Sequence, residues 1–239
     1  MERFPILRIS EGNRDNVEDM IAKEFPLTII LNEKEIATLF CTPKHLKYLA
    51  VGFLSSKGFI QDKDDIKKMA IDAEGGIARV ETKQDIPPRI NLLHPHAVSP
   101  INSKLKIPES QIFSLMDEFQ CLSPLFRITG GVHSAALCDP GRALIHDEDI
   151  GRHNALDKIF GRCILEDIPT DNRIVISSGR VSSEILLKVV KINIPIILSI
   201  SAPTDLAVRL ADSLGVTLVG FIRVRRMNVY TNGWRVETG

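Results

Sequence analysis

A chain of 239 residues, 44% hydrophobic and 25% charged, has the profile of a soluble globular protein, long enough for one large domain or two small ones. Thirty Lys and Arg balance thirty Asp and Glu, so net charge argues for no nucleic-acid and no membrane partner, although a local basic patch lies near the C-terminus. The cysteines, Cys41, Cys121, Cys138 and Cys163, form no CxxC, which argues against a zinc ribbon or a disulfide framework. The charged N-terminus lacks a secretory apolar region, and no apolar run could span a bilayer, so a cytoplasmic protein is expected.

In chain order, residues 1–20 alternate weakly and then turn polar. Residues 25–40, FPLTIILNEKEIATLF, predict two strands around a turn at Asn32-Glu33. Thr42-Pro43 predicts a helix start. Leu46, Leu49, Ala50, Phe53 and Leu54 then share one face, and Lys57-Gly58 predicts the stop. The charged run 62–68 reads as a loop or short helix, and residues 69–82 as a hairpin turning at Gly75-Gly76. Prolines and histidines gather in 85–106, a candidate linker or mobile loop.

A helix is expected over 108–121, with Ile112, Leu115, Met116 and Phe119 on one face. Strand candidates at 132–138, 173–177, 195–201 and 216–223 then alternate with helices at 154–166, 181–193 and 204–214, and 227–231 reads as an edge strand. Such alternation predicts a parallel or mixed sheet covered by helices, preceded by a smaller, less regular unit.

Ligands bind α/β sheets where strands give way to helices. At those points lie Ser178-Gly179-Arg180, Thr204-Asp205 and, after the last long strand, Arg223, Arg225 and Arg226; Gly130 and Gly131 precede the first strand. Glycine and serine expose backbone donors, and arginine offers a planar fork, so these loops suit a phosphate-bearing, nucleotide-like ligand. Each loop alone also reads as an ordinary turn or cap. The densest stretch, 129–154, adds His133, His146, Asp149, Arg152 and His153. With no HExxH, GxSxG or deaminase zinc signature, no metal site is expected. This stretch reads as shaping a ligand pocket, with Asn154 as a helix N-cap.

The runs TGGVHSAALCD, DEDIGRHNALDKIFG, ISSGRVSSEILLK and SISAPTDLAVRLADSLGVTLVGFIRVRRMNVYT, with LAVGFLSSKGFI and FPLTIILNEKEIATLFCTP before them, resemble the formate dehydrogenase accessory protein family, FdhD. The resemblance implies a small α+β subdomain over 1–106 and a cytidine-deaminase-like three-layer α/β/α domain over 107–239. It implies sulfur transfer from a cysteine desulfurase to the molybdenum cofactor in its bis-guanine-dinucleotide form, for formate dehydrogenase, by a homodimer. A GDP-like ligand is expected to bind as well. Carried over, the cofactor segment is Phe221-Ile222-Arg223-Val224-Arg225-Arg226; family members often have Gly where this chain has Val224 or Arg225. The family's CxxC loop corresponds here to residues 89–106, which contain no cysteine. Cys121 is then the nearest thiol and the sole candidate for a catalytic role. A non-catalytic cofactor-binding or chaperone module is the alternative, and a nucleoside deaminase fails for want of metal ligands.

Overall fold

The computed structural model describes residues 1–83 and 99–238. Strands β1 (Glu2–Ser10) and β2 (Asn13–Ile21) pair only with each other, as a ribbon where the sequence shows only weak alternation. β3 (Phe25–Leu31), β4 (Lys34–Cys41), β5 (Ile66–Asp72) and β6 (Ile77–Thr82) follow, as a sheet in the order β4-β3-β6-β5. Asn32 and Glu33 turn the β3–β4 hairpin with φ of 47° and 64°, the left-handed pair that a tight hairpin requires. Leu27, Ile29 and Leu31 point inward at alternate positions and bury against Leu49, Phe53 and Leu54 of α1 (Leu46–Lys57). Gly58 ends α1 at φ 85°.

Helix α1 starts only at Leu46, not at the Thr42-Pro43 pair. Thr42 is committed elsewhere: its N–H donates to Asp149 at 3.0 Å, and its hydroxyl receives Lys158 Nζ at 2.7 Å. The charged run forms a single 3-10 turn, Lys63–Asp65, capped by Asp62, and then enters β5. Most of the predicted linker, 84–98, lies outside the described residues.

The second unit holds β7 (Ile107–Pro108), α2 (Glu109–Cys121), α3 (Pro124–Thr129), β8 (His133–Asp139), β9 (Arg142–Asp149), α4 (Arg152–Leu165), β10 (Ile174–Ser177), α5 (Ser183–Lys191), β11 (Ile196–Ser199), α6 (Asp205–Ser213), β12 (Thr217–Arg223), β13 (Arg226–Val229) and β14 (Val236–Glu237). The six-stranded sheet runs β13-β12-β11-β10-β8-β9; β10, β11 and β12 are parallel and the others antiparallel. Val175, Ile197 and Leu218 face α4, α5 and α6, whereas Ile174, Ile176, Ile196, Leu198 and Val219 face α2. The sheet is therefore buried on both sides, which is why its central strands read as unbroken apolar runs.

Among the elements not expected from the sequence are β9 and α3. β9 is polar because Asp147 and Asp149 are buried on it, and α3 is one short helix between α2 and β8. Nor is Asn154 a cap. Helix α4 begins after Gly151, and the Asn154 amide donates to the Phe40 carbonyl at 2.8 Å and to Asp149 at 3.0 Å.

The units join where α1 crosses α4. A Cβ on Gly52 would fall on the Asp157 carbonyl, and one on Gly161 on the Tyr48 carbonyl, so only glycine permits this approach. Beside the crossing, Lys158 is wholly buried and meets Asp149 at 2.7 Å, Thr42 at 2.7 Å and the Glu148 carbonyl at 3.0 Å. A buried ammonium is tolerable only with this many oxygens around it.

Candidate functional site

Beyond the carboxyl ends of β10, β11 and β12 lies a cleft of about 1120 Å³, walled by α2, α3, the start of β8 and the β12–β13 turn. The strand ends deliver Ser178, Ile200 and Arg223 to it, and the turn adds Val224 and Arg225. Helix α3, unforeseen in the sequence, contributes Phe126 and Arg127, and α2 contributes Asp117, Phe119 and Gln120. Pro124 after Ser123 was the one signal for α3, since proline suits a first helical position.

The glycine pair sits differently from expectation. Gly130 is the left-handed C-cap of α3 at φ 63°, its N–H bonded to the Phe126 carbonyl at 2.7 Å, and the Gly131 N–H meets Thr129 Oγ1 at 3.2 Å. Both glycines line the cleft, but their amides are engaged within the turn and are not free phosphate donors.

Along the wall, and reaching back from it to His146, runs a chain of hydroxyls and imidazoles. Ser178 Oγ accepts the Ser134 N–H at 2.9 Å and lies 3.2 Å from His133 Nδ1. Ser134 Oγ is 2.6 Å from Ser123 Oγ, which is 3.3 Å from His146 Nε2. Burial lowers the pKa of both histidines: Arg152 adds to the effect at His133, and at His146 burial outweighs the neighbouring Glu148 and Asp147. Both imidazoles are thus held toward the neutral form, able to give and accept a proton at opposite ring nitrogens.

Arg152 starts α4 with its stem laid over Gly179, where a Cβ would come within 2.8 Å of Cδ. Its Nε is buried and has no hydrogen-bond partner, an orphaned donor beside His133. His153 is pushed down to about 4 by burial, then by Lys188 and Arg152; Glu184, 3.8 Å away, opposes this too weakly to reverse it.

Of the residues predicted for the site, Gly130, Gly131, His133, Ser178, Arg223, Val224 and Arg225 line this cleft. Arg226 opens β13 on a second, smaller groove beside α2. Phe221 is exposed, at φ 52° on a β-bulge, and Ile222 is buried against the α2 side of the sheet. Thr204 caps α6, Arg180 is exposed on its loop, Gly179 supports Arg152, and Asp149 belongs to the buried junction with Lys158. Sequence reasoning missed Arg127 and Asp117, which only the placement of α3 and α2 brings to the rim.

Arg127, Arg223 and Arg225 are exposed on the cleft and have no carboxylate partner among the described residues. Three unpaired guanidiniums and an apolar wall of Phe126, Ile200 and Val224 fit an anionic ligand with a flat body. Among the described residues no group of three or more His, Cys, Asp or Glu could hold a metal ion.

The thiols divide sharply. Cys41, Cys138 and Cys163 are buried and each is pushed up to about 12, by burial above all. Cys121 is exposed, at the end of α2 directly after the cleft residues Phe119 and Gln120. It is the chain's sole exposed cysteine.

Comparison with known proteins places the chain in a lineage. The profile of the FdhD/NarQ family matches residues 22–237. A protein named sulfur carrier protein FdhD from Staphylococcus haemolyticus is 40% identical, over 97% of this chain and 95% of its own length. One of the same name from Staphylococcus aureus strain MRSA252 is 41% identical over the same shares. A crystal structure from Desulfotalea psychrophila, assigned as a formate dehydrogenase accessory protein, superposes with a TM-score of 0.88 at 31% identity, covering 99% of both chains.

Proposed function

Because this chain belongs to the FdhD/NarQ family, we propose that it is a sulfur carrier serving formate dehydrogenase, with the cleft as the seat of the guanine-dinucleotide form of the molybdenum cofactor. The observation that carries this reading is the set of unpaired guanidiniums around one large, half-apolar cleft at the strand ends. Arg127, Arg223 and Arg225 hold the phosphates, and Phe126 and Val224 cover the bases. When bound, the cofactor supplies the metal centre that receives sulfur. We also read the second unit as a cytidine-deaminase-like arrangement, supported by its mixed sheet with helices on both faces, and the cytoplasm as its place of work, supported by four free cysteines.

Sulfur is loaded by a cysteine desulfurase through thiol exchange. The Cys121 thiolate attacks the outer sulfur of the donor's persulfide, the donor's S–S bond breaks, and the donor leaves as a thiolate that takes up the proton Cys121 lost. The exchange needs no outside oxidant or reductant. Cys121 is assigned this role by elimination, since a carrier thiol must be exposed and the other three are not. A second reading, cofactor holding without sulfur transfer, is favoured by the absence of cysteine from residues 89–106.

Calorimetry with GDP as the probe tests the cleft. Binding is expected, and Arg223→Ala is expected to weaken it by about tenfold or more, the loss of a charged hydrogen bond. Failure of the wild-type protein to bind any guanine nucleotide would remove both readings of the cleft.

A further inference from the structure

Among the described residues that line the cleft, Asp117 is the sole carboxylate, set beside Arg127, Arg223 and Arg225. It is exposed on α2, and its oxygens meet no hydrogen-bond donor and no cation among the described residues. Its neighbour Glu118 is committed, accepting the Ala143 N–H at 3.1 Å. Helical spacing puts Phe113, Asp117 and Gln120, at i, i+4 and i+7, on one face of α2, beside the buried stripe of Ile112, Leu115, Met116 and Phe119. Gln120 is exposed on the same cleft, and its amide too has no hydrogen-bond partner among the described residues.

A carboxylate in a cleft lined with arginines repels an anionic ligand unless the ligand offers it donors. Phosphate has only acceptors to offer at neutral pH, so the donors must lie on the ligand's flat body. We propose that Asp117 selects the base. Its two oxygens accept the N1–H and the 2-amino group of a guanine, and the Gln120 amide, one helical turn on, donates to O6. Adenine inverts this pattern: its N1 acceptor would face the carboxylate and its 6-amino group the Gln120 amide donor. Cytosine and uracil carry no two neighbouring donors on their pairing edges. Phe126, half exposed on the same cleft, offers the ring a face to stack on.

This assignment rests on the cleft being a nucleotide seat and adds the residue that chooses the nucleotide. The shared chemistry is a ring N–H beside an amino group, which a pterin ring also carries, so guanine and pterin are probed separately.

The test is calorimetry of the full chain and of Asp117→Asn with the diphosphates of guanosine, inosine, adenosine and xanthosine. Wild type is expected to bind GDP about a hundredfold more tightly than ADP, and to lose about tenfold with IDP, which lacks the 2-amino group. Asparagine offers one acceptor and two donors, so Asp117→Asn should lose most of the preference for GDP over IDP and ADP. It should also gain affinity for XDP, whose 2-oxo group accepts where guanine donates. A damaged fold would weaken every ligand, and does not gain one while losing another. Pterin-6-carboxylate, which carries the edge without a nucleotide, should bind both proteins alike. A preference for GDP that survives in Asp117→Asn would overturn the assignment and leave the nucleotide seat standing. So would a variant that loses pterin-6-carboxylate and keeps GDP, since the edge being read would then be the pterin's. Failure of the wild type to bind GDP would remove the seat and the assignment together.

Discussion

At the level of single residues, environment separates side chains that the sequence presents as equals. Four cysteines look alike in the sequence; burial against the sheet and helices leaves one accessible. Three histidines fall within 129–154, and burial lowers the pKa of all three, most at His153. For His153 the sign is fixed by which state binds more protons. Its folded pKa, about 4, is below the ordinary 6.5, so between those values the unfolded chain takes up a proton that the folded chain refuses. Its contribution is fully present above pH 6.5 and is lost as pH falls toward 4. Discounted for partial exposure, it amounts to roughly 2 kcal/mol. His153→Gln should therefore flatten the acid limb of a stability-versus-pH curve measured by urea unfolding. An unchanged limb would show that Lys188, Arg152 and burial do not act on His153 as described.

Among the elements, local pattern was legible wherever local pattern determines the outcome. The β3–β4 hairpin, the apolar face of α2 and the glycine stop of α1 stand close to where residues 25–58 and 108–121 place them, because each depends on neighbours in the sequence. The cap readings failed at Thr42 and Asn154 because Asp149 and Phe40, more than a hundred residues from Thr42 and Asn154 respectively, claim those side chains. Strand β9 escaped notice because its buried face carries carboxylates for Lys158, which hydrophobic periodicity cannot register. The β12–β13 turn shows the cost of a local departure. Val224 sits at φ 48°, a conformation suited to glycine, with its side chain 86% exposed. Val224→Gly gives up almost no packing and relieves the backbone, so it should stabilise the protein by about 1 kcal/mol, seen as a raised Tm. A lowered Tm would mean that the valine is held by contacts rather than tolerated.

Across the whole molecule, the cleft is assembled by parts far apart in the chain. The loops after three parallel strands were readable as ligand-facing, since that end of an α/β sheet is where ligands bind. Their convergence with α2 and α3, which brings Arg127 to the rim and leaves Cys121 as the exposed thiol, required the tertiary arrangement. Glycine contacts between α1 and α4 and the buried Lys158–Asp149 pair hold the first unit against this scaffold. In the proposed function Cys121, at the end of α2, carries sulfur even though residues 89–106 hold no cysteine. Intact mass spectrometry after incubation with a cysteine desulfurase and cysteine tests it most directly. The expected result is the gain of one sulfur atom, located at Cys121 and absent from Cys121→Ser. No gain in the wild type, or an equal gain in Cys121→Ser, would contradict it.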